Sequence, residues 1–155
     1  MADLCCAYVL PGFTINNATD GVDRAVLGPD GVTGLDGAPI RRQIDPKGQT
    51  DGGILHTARF GPRIITFTGF LEIRSVVPGQ NDAYYTAINA LEAAMVSGLE
   101  GIRNSSHNLT WTPTGGSGKS ISVRYGVEGQ EIQFTGSMLD KGFSFSLVAA
   151  SPTIS

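Results

Sequence analysis

The chain has 155 residues, of which 41% are apolar and 16% charged, with a net charge of −3 and an isoelectric point near 5.2. That length fits one domain, spanning residues 1–155, able to bury ~70% of its unfolded surface without disulfides or metal. Arg41-Arg42 is the one basic pair and no Lys/Arg run exists, which excludes a protein that grips nucleic acid through its phosphates.

The low charge content fits either a surface partly covered by neighbouring subunits or a β-rich domain with Ser, Thr and Gly outside. The 21 Gly and 8 Pro call for many turns. Near the N-terminus, positive charges followed by an apolar run are missing, so no signal peptide is expected. Since no apolar run has membrane-spanning length, an intracellular site of synthesis and no membrane insertion are expected. Cys5 and Cys6 are neighbours, which point to opposite faces of a strand and are strained as a disulfide. Both are expected to be reduced, small and buried.

In chain order, Leu4 to Leu10 is apolar on both faces and reads as a buried strand ended by Pro11-Gly12. Phe13 to Asn16 is its expected pairing partner. Pro29-Asp30-Gly31, between Asp23–Gly28 and Val32–Leu35, reads as a hairpin turn. A short strand is expected over Ile40 to Ile44, followed by a polar loop from Pro46 to Gly53. Ile54 to Phe60 leads into a long strand, Arg63 to Ile73, with Ile65, Phe67, Leu71 and Ile73 on one face.

Helical spacing begins after Val77-Pro78-Gly79. Tyr84, Ile88, Leu91, Met95 and Leu99 form one apolar stripe, so a helix is expected over about residues 81–97. Asn81 or Asp82 is its expected N-cap and Gly98 its left-handed C-terminal residue. The stripe is expected to pack on the strand of Ile65 to Ile73. Further strands are expected over Asn108–Thr112, Ser120–Val127, Glu131–Ser137 and Gly142–Ala150. The fold class is mainly β with one α-helix: a split β-barrel or β-sandwich flanked by a single helix.

Motifs for chemistry are weak. Gly115 to Ser120 imitates a phosphate-binding loop, but Pro113 stands where the first Gly is required and a strand follows in place of a helix. His56 and His107, the two histidines, lie in no zinc spacing with Cys or each other. Glu128 and Glu131 flank a turn and read as solvated, and no nucleophile elbow supports a Ser/His/Asp triad. Asn17, Asn104 and Asn108 begin glycosylation sequons that read as polar turn residues without a secretory signal. No catalytic residue, cofactor or metal site is expected. Trp111 is a candidate for core or subunit interface, or, with Tyr84, Tyr85 or Tyr125, for a sugar platform.

Several segments together resemble the distal tail proteins of long, flexible-tailed bacteriophages. They are Ile40-Arg-Arg-Gln-Ile-Asp45 with Thr50-Asp-Gly-Gly-Ile-Leu55, then Gly61-Pro-Arg-Ile-Ile-Thr-Phe-Thr-Gly-Phe70, the helix, Leu109-Thr-Trp111, and the closing Phe145 to Pro152. The resemblance covers nearly the whole chain in layout and rests on the order of elements. It implies a tail-tube-like fold and a homo-hexameric ring at the distal end of a non-contractile siphovirus tail. Such a ring joins the tail-tube protein to the baseplate hub and lets DNA pass through its lumen. It also implies a virion protein assembled in the host cytoplasm, in a form limited to the belt domain. The second, carbohydrate-binding or galectin-like domain that family members often carry is not expected in this chain. Contacts between subunits or rings are expected at Lys47, Gln49, Thr50 and Asp51 of the polar loop, at Asp30 of the early hairpin and at Trp111. The alternatives are a major tail-tube protein, a tail-terminator ring and, from another class, a carbohydrate-binding β-sandwich.

Overall fold

A computed structural model of the chain describes residues 6–37, 40–42, 44–46, 53–55, 59–77, 79–137, 140–151 and 153–155. Cys5 and His56 lie outside the described residues, as do the loop candidates Lys47, Gln49, Thr50 and Asp51.

Alternation of apolar and polar residues builds most of the molecule. The strands are β1 (Tyr8–Leu10), β2 (Phe13–Ile15), β3 (Arg24–Thr33), β4 (Ile40–Arg41), β5 (Ile44–Pro46), β6 (Gly53–Leu55) and β7 (Arg59–Phe60). Then come β8 (Arg63–Glu72), the helix α1 (Asn81–Gly101), β9 (His107–Trp111), β10 (Lys119–Tyr125), β11 (Gln133–Ser137) and β12 (Asp140–Ala149). The main sheet runs β10-β9-β1-β2-β3-β8-β12-β11, and a β10–β12 pairing closes seven of these strands into a barrel with β11 outside the closure.

The barrel is split in the way its ladders are distributed. β8 and β12 are paired antiparallel over eight positions, from Gly142↔Phe70 to Ala149↔Arg63. Four-stranded halves, β10-β9-β1-β2 and β3-β8-β12-β11, meet at two thin seams. One is the parallel pairing Ile15↔Ala25, and the other is Arg124↔Val148 with Tyr125↔Leu147. Asn16 reinforces the first seam. Its Nδ2 donates to the Cys6 carbonyl, its Oδ1 accepts from the Leu27 N–H, and its own N–H donates to the Ala25 carbonyl. Asn16 sits at φ 59°, a left-handed conformation that Asn tolerates better than most residues.

Inside, one core joins both halves and the helix. Ile65, Phe67, Ile88, Met95, Leu99, Leu109 and Leu147 are fully buried in it. Phe67 stacks on Phe145 at 5.2 Å between ring centroids and meets Tyr8 edge-on at 5.3 Å. Aromatic pairs in these geometries stabilise beyond their buried area. Among the expected core positions, Ile65, Phe67 and Leu71 are buried and Ile73 is half-buried.

Several expectations are corrected. Tyr8 and Leu10 are buried while Val9 is exposed, so this part of the first strand alternates instead of burying both faces. Pro29-Asp30-Gly31 is no hairpin turn. It lies within β3, where the register with β8 breaks between Leu27↔Gly69 and Val32↔Phe67, so the segment is an irregularity in one strand. The apolar residues on either side return to the same neighbour, and no chain reversal is needed.

The helix is four residues longer than expected, ending at Gly101. Its N-cap is Gln80, which makes no side-chain cap bond, with Asn81 as the first helical residue. Gly98 is interior to the helix, where a Cβ would strike the carbonyl of Pro11. The missing side chain lets the β1–β2 turn approach the helix backbone. The helix backbone accordingly lies close to β2, and its stripe shares one packed core with Ile65, Phe67 and Leu71 of β8. His107 is the first residue of β9, one position before the expected strand start at Asn108, with its Nε2 3.1 Å from the Val9 carbonyl.

Candidate functional site

The weak chemical motifs of the sequence lie apart from one another in the structure. The Gly115–Ser120 stretch runs straight into β10, with no helix N-terminus to hold a phosphate. Glu128 and Glu131 are exposed. Among the described residues, no group of three His, Cys, Asp or Glu side chains could hold a metal ion. None of their helices is long and apolar enough to cross a membrane. The aromatic platform is dismantled by the barrel: Trp111 and Tyr125 are buried in the core, while Tyr84 and Tyr85 pair edge-on along the helix. Trp111 leans on Tyr8 at 5.9 Å and is 6% exposed, so most of its ring is committed within the subunit. Cys6 is buried as a free thiol.

Unpaired strand surfaces are better defined. Between β3 and β8 the chain leaves the barrel and forms a two-stranded ribbon. Ile40 pairs with Phe60 and Arg41 with Arg59, and then Ile44 pairs with Leu55, Asp45 with Ile54, and Pro46 with Gly53. Partner numbers sum to 100 in the first ladder and to 99 in the second, so the two ladders differ in register by one residue. Among the described residues, none of its strands pairs with a barrel strand.

The root of this hairpin is held by Arg63. The Arg63 guanidinium is buried, and its Nη1 donates to the carbonyls of Gly34 at 2.6 Å and Asp36 at 2.7 Å. Charged donors on backbone carbonyls are among the stronger hydrogen bonds. Arg63 is legible in the sequence as part of a strand motif, but no local signal marks it as a clamp on the preceding segment.

A second surface is β11. It pairs with β12 from Gln133↔Ser144 to Ser137↔Asp140, and its other side has no strand partner among the described residues. Gln133, Thr135 and Ser137 are exposed, whereas Phe134 is half-buried against the core. The lone edge was not foreseen, because the sequence pattern gives strand identity and not strand neighbours. A third feature is an open trough over β1, β9 and β10, lined by Val9, Thr110, Trp111, Lys119 and Ser120. Asp30 lies in the irregular part of β3 and is exposed, away from Trp111 in the opposite half of the barrel.

A closed barrel with one helix on its core, a free strand edge and a protruding ribbon defines a β-barrel scaffold. No protein-family model matches the chain, and no curated protein matches it. Among solved structures it is similar to the crystal structure of the SPP1 Dit protein, described as a paradigm of the hub adsorption apparatus in phages that infect Gram-positive bacteria. The TM-score is 0.58 at 11% identity, with 95% of this chain and 50% of that chain covered. At that identity the likeness shows the fold, which is Dit-like. The chain spans about half the length of that protein.

Proposed function

We propose that the chain is a structural subunit of a bacteriophage tail. It forms a homo-hexameric ring at the distal end of a long non-contractile tail, between the tail-tube protein and the baseplate hub. DNA passes through its lumen without being gripped, and the protein resides in the virion. The observation that carries this reading is a fold shared with a phage tail-hub protein over 95% of the chain. Two features support it physically. A free strand edge and a ribbon outside the barrel are suited to contacts between copies. The net charge of −3, with no Lys/Arg run, fits a lumen that DNA crosses passively.

The contacts between subunits or rings include Lys47, Gln49, Thr50 and Asp51 of the polar loop, together with Asp30. The test is the mass of the purified protein by light scattering, with negative-stain imaging of the same peak. Discrete rings of six or twelve copies are expected. Long tubes would turn the reading to a tail-tube protein. A monomer at every concentration would overturn the ring.

A further inference from the structure

We infer that residues 153–155 form a detachable strap that latches the seam between β10 and β12, and that the β10-β9-β1-β2 half swings open only after this strap has left. The device belongs to the single barrel and does not depend on the ring.

β10 is the strand at which the barrel closes. Among the described residues, β12 meets it at Arg124↔Val148 and Tyr125↔Leu147. β12 ends at Ala149, so the edge of β10 from Lys119 to Ser122 lies beyond its reach. Residues 153–155 serve that edge instead. The Ser120 N–H donates to the Ser155 carbonyl at 2.8 Å, and the Ser155 N–H donates to the Ser120 carbonyl at 3.0 Å. Two reciprocal bonds of this kind define an antiparallel hydrogen-bonded pair.

The strap is a separate piece of seam and not a continuation of β12. An unbroken ladder from Arg124↔Val148 would bring residue 152 opposite Ser120, whereas Ser155 is there, three residues later. Bends at Ala150 and Ser151 lie within this break. Two pieces that share no continuous ladder can release one after the other.

Both faces of the strap match its seat. The hydroxyls of Ser120 and Ser155 meet at 3.0 Å on the outer face. Side chains alternate along a strand, so Ile121 and Ile154 turn inward. Ile121 is 3% exposed, and Ile154 is half-buried against the core. Ile154 thus adds apolar contact where the seam is short of backbone bonds. The hold is specific but small, which places the strap at the low end of local stabilities. Because the strap is continuous with β12, the β10 half stays tied to the β8–β12 half for as long as Ser155 holds Ser120. With the strap gone, two residue pairs are left between β10 and β12.

The test is amide exchange on the full chain with the strap locked or loosened. Ser120→Cys with Ser155→Cys places two thiols where the hydroxyls meet, and the Cα spacing of such a pair, about 5.5 Å, is within disulfide range. Counting free thiols before and after reduction checks that the bond has formed. Ile154→Ala removes the inward side chain, and Ser155→Pro removes one N–H of the pair. Far-UV circular dichroism checks that each variant keeps the barrel. In the wild type, residues 8–15 and 107–125 are expected to exchange ahead of residues 63–72 and 141–149. In the oxidised double-cysteine protein both groups are expected to exchange together, and to separate again on reduction. Ile154→Ala should quicken the first group roughly 5-fold. Ser155→Pro should quicken it roughly 2- to 10-fold. The second group should change little in either. A first group that still exchanges ahead in the oxidised protein, or one that neither loosening variant quickens, would overturn the latch.

Discussion

At the residue scale, the most instructive position is Gly98. Read in the sequence, a glycine near the end of an apolar stripe is a helix stop. In the structure the helix runs on, and the glycine serves a close approach by the Pro11 carbonyl. Sequence spacing can show where a helix side chain points, but not what packs against the position where one is missing. The two readings give opposite outcomes for Gly98→Ala. In an open helix interior, alanine stabilises by ~1 kcal/mol over glycine. Here the added methyl must push the Pro11 carbonyl aside, an overpacking that costs ~1–3 kcal/mol. Net destabilisation is expected, seen as a lower urea midpoint with an unchanged slope. A raised midpoint would mean that the β1–β2 turn yields freely. Trp111 teaches the same lesson: its place on a strand was legible, whereas its use in the core depended on Tyr8, a neighbour 103 positions away by residue number.

At the element scale, the long strands and the helix were legible because their periods are clean. The Ile65–Phe67–Leu71 face and the Ile88–Met95–Leu99 stripe are both core. The early strand was misread because Pro-Asp-Gly is a turn signal wherever it occurs, and only the cross-strand neighbour decides whether the chain reverses. β8 provides that neighbour on both sides of the irregularity. How α1 is tied to the barrel was not legible either. Lys141 of β12 reaches Glu92 of α1, with Nζ–Oε1 at 3.2 Å and side chains 18% and 21% exposed. Glu92 Oε1 makes no hydrogen bond of good direction, so the contact is one of charge more than of alignment. Removing one partner leaves the other charge poorly solvated against the sheet, which costs more than the pair contributes. Glu92→Leu is therefore expected to destabilise by ~1–2 kcal/mol, allowing for partial solvent screening. Glu92→Leu with Lys141→Met should recover most of that loss in chemical denaturation. A double variant no more stable than Glu92→Leu alone would show that packing and not charge ties the helix to β12.

At the scale of the whole molecule, the split between halves governs how the barrel opens. Local periodicity placed most of the strands, with a split barrel or sandwich as their natural arrangement. It carried no account of the closure, because Arg124↔Val148 and Ile15↔Ala25 are encoded in no local pattern. Those thin seams leave the β10-β9-β1-β2 half joined to its neighbour by few ladder bonds, while β8 and β12 are paired over eight positions. Cooperative units of unequal stability follow from such unequal connections. Amide exchange is expected to release residues 8–15 and 107–125 as one unit. That release should precede the exchange of residues 63–72 and 141–149. Asn16 is the test of the seam itself, since it holds Cys6, Ala25 and Leu27 through side chain and backbone together. Asn16→Ala leaves the Leu27 N–H and the Cys6 carbonyl without those side-chain partners, at ~1–3 kcal/mol for buried groups. Exchange of the first unit should therefore quicken roughly 5- to 100-fold or more, while the β8–β12 ladder changes less. If both halves quicken equally, the barrel opens as one body and the seam is not its weak line.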